Sequence, residues 1–189
     1  TKGINRRDVI IELIKRINSK TKIISTTGYT SRELYKIRSL YPYLNGVDFY
    51  NVGGMGHSSM IALGSSLKKN LQVICLDGDG SLLMHMGSLR TAGIYANRNF
   101  KHILLNNNAH ESVGGQSTTA SGIDFKSLVK SLGYKNYFKI SQTKKINSTI
   151  KKFLNSKGLS FLEVLISIGS LNNLSRPSNL IKIKNKFMK

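Results

Sequence analysis

The sequence holds one cysteine and two prolines in 189 residues, and nine acidic side chains against 29 lysines and arginines. A single cysteine builds no disulfide framework. Cys75 sits inside the apolar run Val73-Ile74-Cys75-Leu76, which fits a reducing cytoplasm. Two prolines and glycines without a period exclude collagen-like structure and argue against disorder. No apolar run reaches the roughly 18 residues of a membrane span, so no membrane partner is expected. The N-terminal stretch Thr1 to Arg7 lacks the apolar h-region of a signal peptide. The chain opens on Thr rather than Met, so we expect a trimmed form or the C-terminal part of something longer. There is no internal repeat and no low-complexity segment.

Scarcity of acids leaves a net charge of +20. Such an excess raises a nucleic-acid reading. Residues 139–189 carry eleven basic side chains and one acid, about half of the excess, but these alternate with Ile, Asn and Ser. Zinc-ligand spacing, an aromatic stacking motif and a dense basic helix are all missing. No nucleic-acid partner is therefore expected. The charge reads as lysines over solvated faces, with an acidic partner subunit or the steering of anionic substrates as alternatives.

What remains is a chain with 40% hydrophobic residues, enough for one core. Ile10, Leu13, Ile14 and Ile17 repeat at helical spacing, and Lys15, Arg16 and Lys20 crowd the end of that helix. Ile23-Ile24 reads as a short strand. Thr30 and Glu33 read as a capping box opening the next helix. A strand follows over 48–52, then a helix over 58–67. Val73 to Leu76 and His102 to Leu105 read as buried parallel strands. Between them, Leu82, Met86, Leu89 and Gly93 mark one helix face. A helix over 125–132, a strand over 137–140, a basic helix and a strand over 161–166 complete the set. The expectation is one α/β domain over 1–189, a mostly parallel sheet with helices on both faces, and a basic tail at about 171–189.

In such sheets ligands bind beyond the carboxyl ends of the strands. Four of those ends carry special residues: Thr26-Thr27-Gly28, Gly53-Gly54-Met55-Gly56, Gly78-Asp79-Gly80-Ser81 and Asn106-Asn107-Asn108. Glycines let a backbone approach an anion, and a following helix offers free N–H groups. Asp79 beside an anion is repulsive unless a cation lies between them. A hard ion such as magnesium, ligated by carboxylate, amide and phosphate oxygens, meets that need.

Gly78-Asp79-Gly80, followed after 25 residues by Asn106-Asn107, resembles the fingerprint of thiamine-diphosphate-dependent enzymes. The resemblance implies the diphosphate-binding fold, with thiamine diphosphate and magnesium as cofactors. Asp79, Asn107 and the carbonyl of Ala109 would be the metal ligands, with Asn106 structural. Gly78, Gly80 and Ser81 would touch the diphosphate, and Thr27 and Gly28 belong to the same cofactor site. Met55, 24 residues before Asp79, would wedge between the cofactor's rings, and Gly53 would offer its carbonyl to the pyrimidine amino group.

Thr27 to Glu33, Gly53 to His57, Asn107 to Gln116, Leu174 to Pro177 and Asn185 to Met188 together look like the phosphonopyruvate decarboxylases. The sulfopyruvate decarboxylase β subunits are the next resemblance, and acetolactate-synthase-like enzymes lie further off. The implied reaction is decarboxylation of a 2-oxo acid with a second anionic group, the cofactor serving as electron sink. His57, His110 and Glu111 are candidates for contacts to substrate or for proton transfer, while His85 and His102 read as structural. Glu111 reads equally as a residue that shapes its loop. The family also needs a glutamate from a pyrimidine-binding domain, which nothing in these residues resembles. A second domain or subunit, in a homo- or hetero-oligomer, is therefore implied.

Overall fold

A computed structural model describes residues 3–68 and 71–189. Thr1 and Lys2, the start of the stretch read as lacking an h-region, lie outside them, as do Lys69 and Asn70. Six strands form one sheet: β1 (Lys22–Ser25), β2 (Val47–Tyr50), β3 (Val73–Gly78), β4 (Phe100–Asn106), β5 (Asn136–Ile140) and β6 (Ser160–Leu165). Their spatial order is β2-β1-β3-β4-β6-β5, and every pairing is parallel. β3 and β4 are buried almost end to end, as apolar runs covered on both faces must be.

Eight helices cover the two faces: α1 (Arg6–Ile14), α2 (Tyr29–Leu40), α3 (Ser58–Ser66), α4 (Asp79–Met84), α5 (Ser88–Tyr95), α6 (Phe125–Ser131), α7 (Ile146–Asn155) and α8 (Leu180–Met188). One core joins α1, α2 and α7 to the sheet through residues such as Ile10, Leu34 and Phe153. The other joins α3, α5, α6 and α8 through Ala62, Leu89, Val129 and Phe187. The chain winds from β1 to β2 in one direction, then crosses to β3 on the other side of β1. The carboxyl ends of β1 and β3 therefore flank a topological switch point, where an open parallel sheet leaves a crevice.

Three local expectations change. Thr30 does not cap α2: the helix begins at Tyr29, its cap is Gly28 at φ 89°, and no side-chain cap bond forms. Glu33 is drawn instead into a buried ion pair with Arg6. The single helix expected over 82–93 is two, α4 and α5, broken at His85–Gly87, and this swings Met86 out to solvent. His85 turns back there, its Nδ1 lying 3.2 Å from the Gly56 carbonyl oxygen. The basic segment over 171–189 carries α8, whose Phe187 is buried beside Phe49 while Lys22 Nζ donates to the Phe187 carbonyl. No helix among the described residues is long and apolar enough to cross a membrane.

Two predictions follow from this packing. A Cβ at Gly93 of α5 would overlap the carbonyl oxygen of Leu132, which is backbone and cannot yield. Gly93→Ala should destabilise the fold by about 3 kcal/mol, read as a lower denaturant midpoint at unchanged slope. Lys101, buried at the amino end of β4, donates to Ser156 and Ser160, and burial lowers its pKa from 10.5 to about 8. The folded state thus binds this proton less readily than the unfolded state does. Stability should rise as pH climbs from about 8 towards 10.5, by a component that Lys101→Met lacks in matched pH-dependent unfolding curves.

Candidate active site

The crevice is floored by Thr26 and Thr27 at the end of β1, by Gly78 to Ser81 at the end of β3, and by Asn107 and Ala109 past β4, with Met55 as one wall. Four strand-end segments far apart in sequence therefore meet at one place. Gly53 and Gly28 line the adjoining cavity rather than the crevice itself. Gly28 takes φ 89°, and a Cβ there would come within 2.8 Å of Ser112 Oγ, so only glycine lets the β1 turn pass under the Ser112 loop.

Asp79 is 3% exposed. One of its oxygens accepts the Thr118 hydroxyl; the other accepts no hydrogen bond among the described residues and belongs to the crevice lining. Ser81 Oγ accepts from Thr26 Oγ1 at 2.8 Å and from the Gly56 N–H at 3.1 Å. With both lone pairs engaged, its own proton is the group left to donate. Asn106 is structural: its amide donates to Glu163 and its oxygen accepts the Asn108 N–H.

Asn107 is oriented by its neighbours. Its Nδ2 donates to Glu111 Oε2 at 2.9 Å, which fixes which end of the amide is oxygen. That oxygen accepts the Ala109 N–H at 3.1 Å and keeps one lone pair. The Ala109–Ser117 bridge is closed by bonds from the flanking residues, so the Ala109 carbonyl accepts no hydrogen bond among the described residues. One carboxylate oxygen, one amide oxygen and one carbonyl thus share a lining with acceptor capacity uncommitted. That donor set suits a hard divalent cation completed by ligand phosphates.

The three acid–base candidates fare differently. His110 lies in the crevice against Gly80, and a Cβ at Gly80 would sit 2.5 Å from its Cε1. His57 is exposed outside the crevice, its ring edge-on to His85 with centroids 4.6 Å apart. Glu111 is fully engaged. Its Oε2 takes Arg6 Nη2 at 2.6 Å besides Asn107, and its Oε1 takes the Gly169 N–H at 2.5 Å. His102, with Nε2 3.3 Å from Asp77 Oδ2 and Nδ1 3.1 Å from the Tyr134 hydroxyl, is a core residue.

Arg6 and Glu33 escape a reading of the sequence. Arg6 is 5% exposed, lines the crevice, and stands between Glu33 Oε1 at 3.4 Å and Glu111 Oε2 at 2.6 Å. Burial pushes the Glu33 carboxyl above its ordinary range against the pull of the Arg6 cation. In a chain with 29 basic residues nothing local separates Arg6 from a surface cation.

A doubly wound parallel sheet with glycine turns, a buried carboxylate and free carbonyl oxygens at its switch point defines an α/β domain that holds an anionic cofactor across strand ends. Residues 26–164 match the family "Thiamine pyrophosphate enzyme, C-terminal TPP binding domain", and the chain belongs to that family. A phosphonopyruvate decarboxylase of Streptomyces viridochromogenes is 34% identical over 165 residues, 87% of this chain and 40% of that protein. A sulfopyruvate decarboxylase subunit beta of Methanothermobacter thermautotrophicus is 39% identical over 127 residues, 66% of each chain. Its counterpart in Methanococcus maripaludis is 31% identical over 182 residues, 95% of this chain and 94% of that subunit. The match thus spans 40% of the length of the Streptomyces relative.

Gly80→Ala should displace the His110 ring and narrow the crevice at little cost to the fold. We expect cofactor affinity to fall by about tenfold or more while the thermal midpoint moves by only a few degrees, the two being compared by calorimetry and thermal unfolding.

Proposed function

We propose that this chain supplies the diphosphate- and magnesium-binding half of a 2-oxo acid decarboxylase, acting on 3-phosphonopyruvate to give phosphonoacetaldehyde and carbon dioxide. The observation that carries the reading is Asp79. This buried carboxylate keeps one oxygen uncommitted at the switch point, in one lining with Asn107 and Ala109, where an anion needs a cation between. The named activities of the relatives support the reaction class. The resemblance of Gly53 to His57 and of Asn107 to Gln116 to the phosphonopyruvate decarboxylases, with the 34% identity to the Streptomyces protein over 87% of this chain, supports phosphonopyruvate. Sulfopyruvate is the second reading, favoured by the nearly full-length match to a separate β subunit in Methanococcus.

When bound, thiamine diphosphate supplies the electron sink for the carbon–carbon bond that breaks. The chain's residues do the rest. Asp79, Asn107 and the Ala109 carbonyl hold the metal, and the Ser81 hydroxyl donates to a diphosphate oxygen. Met55 shapes the wall against the rings, and Gly53 meets the pyrimidine side. His110, whose ring makes no hydrogen bond among the described residues, is placed to contact substrate or carry a proton. Glu111 acts through Asn107: it holds the amide so that oxygen, not nitrogen, faces the metal. A pyrimidine-binding domain or subunit completes the site in an oligomer, so this chain alone binds cofactor weakly and does not turn over.

Titration of thiamine diphosphate into the chain with its pyrimidine-binding partner should show magnesium-dependent binding, weakened by about 100-fold or more in Asp79→Ala. Glu111→Gln should weaken magnesium by about 10- to 100-fold, as loss of an outer-shell orienter does, with no change in secondary structure. Metal-independent binding, or binding indifferent to Asp79, would overturn the reading. Competing phosphonopyruvate and sulfopyruvate in the complete enzyme decides the substrate.

A further inference from the structure

Beside the crevice, and sharing Thr27 and Met55 with it, lies a second cavity of about 210 Å³. Two guanidinium groups line it, Arg32 from α2 and Arg176 from the C-terminal segment, and no carboxylate does. Neither arginine makes a salt bridge or a side-chain hydrogen bond among the described residues. Arg38, on the same helix, is by contrast fixed on Asp48, with Nε 2.7 Å from its Oδ2. Arg32 is half-buried and stacked over the Tyr29 ring, 5.6 Å from its centroid, which holds the guanidinium near the helix start. The segment bearing Arg176 is tied across α2 at two points. The Leu171 N–H donates to Glu33 Oε1 at 3.0 Å, and Ser178 Oγ lies 3.3 Å from the Tyr35 hydroxyl. Pro177 is buried there, so Arg176 is carried by an anchored stretch.

Arg176 is exposed and Arg32 half-buried, so both can hold their charge in water, but a cavity lined by two cations and no carboxylate is set up to attract an anion. An amide and a hydroxyl, Asn51 and Ser112, stand in the same lining. The fork of a guanidinium matches the oxygens of a tetrahedral oxyanion bidentately. We propose that Arg32 and Arg176 form the subsite for the distal tetrahedral anion of the substrate, a phosphonate in preference to a sulfonate because its second charge engages the second arginine. This rests on the decarboxylase reading above, and gives that reading its means of selecting a 2-oxo acid with two anionic ends.

The probe is phosphonoacetate, with sulfoacetate beside it, titrated into the folded chain and followed by calorimetry at fixed ionic strength. The proteins are the unaltered chain, the double variant Arg32→Gln with Arg176→Gln, a charge-matched control Lys36→Gln with Lys184→Gln, and Asp79→Ala. We expect saturable phosphonoacetate binding, tighter than sulfoacetate, and about tenfold or more weaker in the arginine double variant. The lysine control should stay within about twofold, because a general field acts through any surface cation and falls with salt, while Asp79→Ala serves only the cofactor measurement. Absence of saturable binding to the unaltered chain, an unchanged affinity in the arginine variant, or an equal loss in the lysine control would each overturn the subsite. If the arginines instead meet carboxylates of the pyrimidine-binding partner, the double variant weakens assembly and leaves phosphonoacetate binding alone, which also overturns it. Thiamine diphosphate binding with the partner, measured on the same proteins, keeps the two readings apart. Cofactor binding without a phosphonoacetate site sinks only the subsite, whereas a phosphonoacetate site without cofactor binding sinks the decarboxylase and leaves the two arginines an anion site without a substrate role.

Discussion

A single buried guanidinium ties the site together. Arg6 belongs to the first helix, Glu33 to the second, Glu111 to the loop beyond β4, and Glu111 also holds Gly169 of the closing segment. Charges this deep persist only when paired, and removing one partner of a buried pair typically costs about 3–5 kcal/mol. Arg6 faces two carboxylates, and its Nε and Glu33 Oε2 find no partner among the described residues. The cluster is therefore a costly arrangement for stability alone. Its return is geometric: the carboxylate that receives Arg6 is the one that turns the Asn107 amide, and with it the oxygen offered at the strand ends.

The same economy of acids accounts for the charge of the chain. Of its nine acidic residues, Glu33, Asp77, Asp79 and Glu163 are buried, and Glu111 is closed over by Arg6 and Gly169. The carboxylates serve the interior and the site, which leaves the lysines of α7 and α8 on the outside with little to oppose them. The surface is more positive than the net +20 conveys. In the proposed function, a positive surface around the crevice would raise the local concentration of a diphosphate and of a doubly anionic acid.

Much of this was legible in the sequence. The buried strands β3 and β4 announced themselves as apolar runs, and the glycine turns with Asp79 and Asn107 marked which end of the sheet mattered. What escaped was set by distance along the chain. The Thr30–Glu33 spacing fits a capping box, but Glu33 is held by the buried Arg6 and the Leu171 N–H, and the gain from capping a helix, about 1 kcal/mol, is smaller than the roughly 3–5 kcal/mol typical of breaking a buried pair. The Met86 periodicity fits one helix, yet the chain turns at His85 to meet the Gly56 carbonyl and brings the Met55 turn against α4. Both misreadings sit at the edge of the site, where a tertiary contact outweighs local preference. Arg6 left no local signal, and Arg176, although inside the Leu174 to Pro177 stretch that carries the resemblance, gave no sign of its place beside Arg32 at the other end of the chain.

The division of labour in the crevice follows from what its acids already do. Only Asp79 and Glu111 among its lining residues are carboxylic. Asp79 takes the Thr118 hydroxyl on one oxygen and, in the proposed function, a metal on the other; a metal-bound carboxylate is a poor proton donor. Glu111 accepts from three donors, Arg6, Asn107 and the Gly169 N–H, so both of its oxygens are committed to holding the loop. His110 and Tyr29 are then the imidazole and the phenol of the lining that make no side-chain hydrogen bond among the described residues, and His110 stands against Gly80. In the proposed function, with both carboxylates so committed, a proton that neither His110 nor Tyr29 carries would have to come from the pyrimidine-binding half.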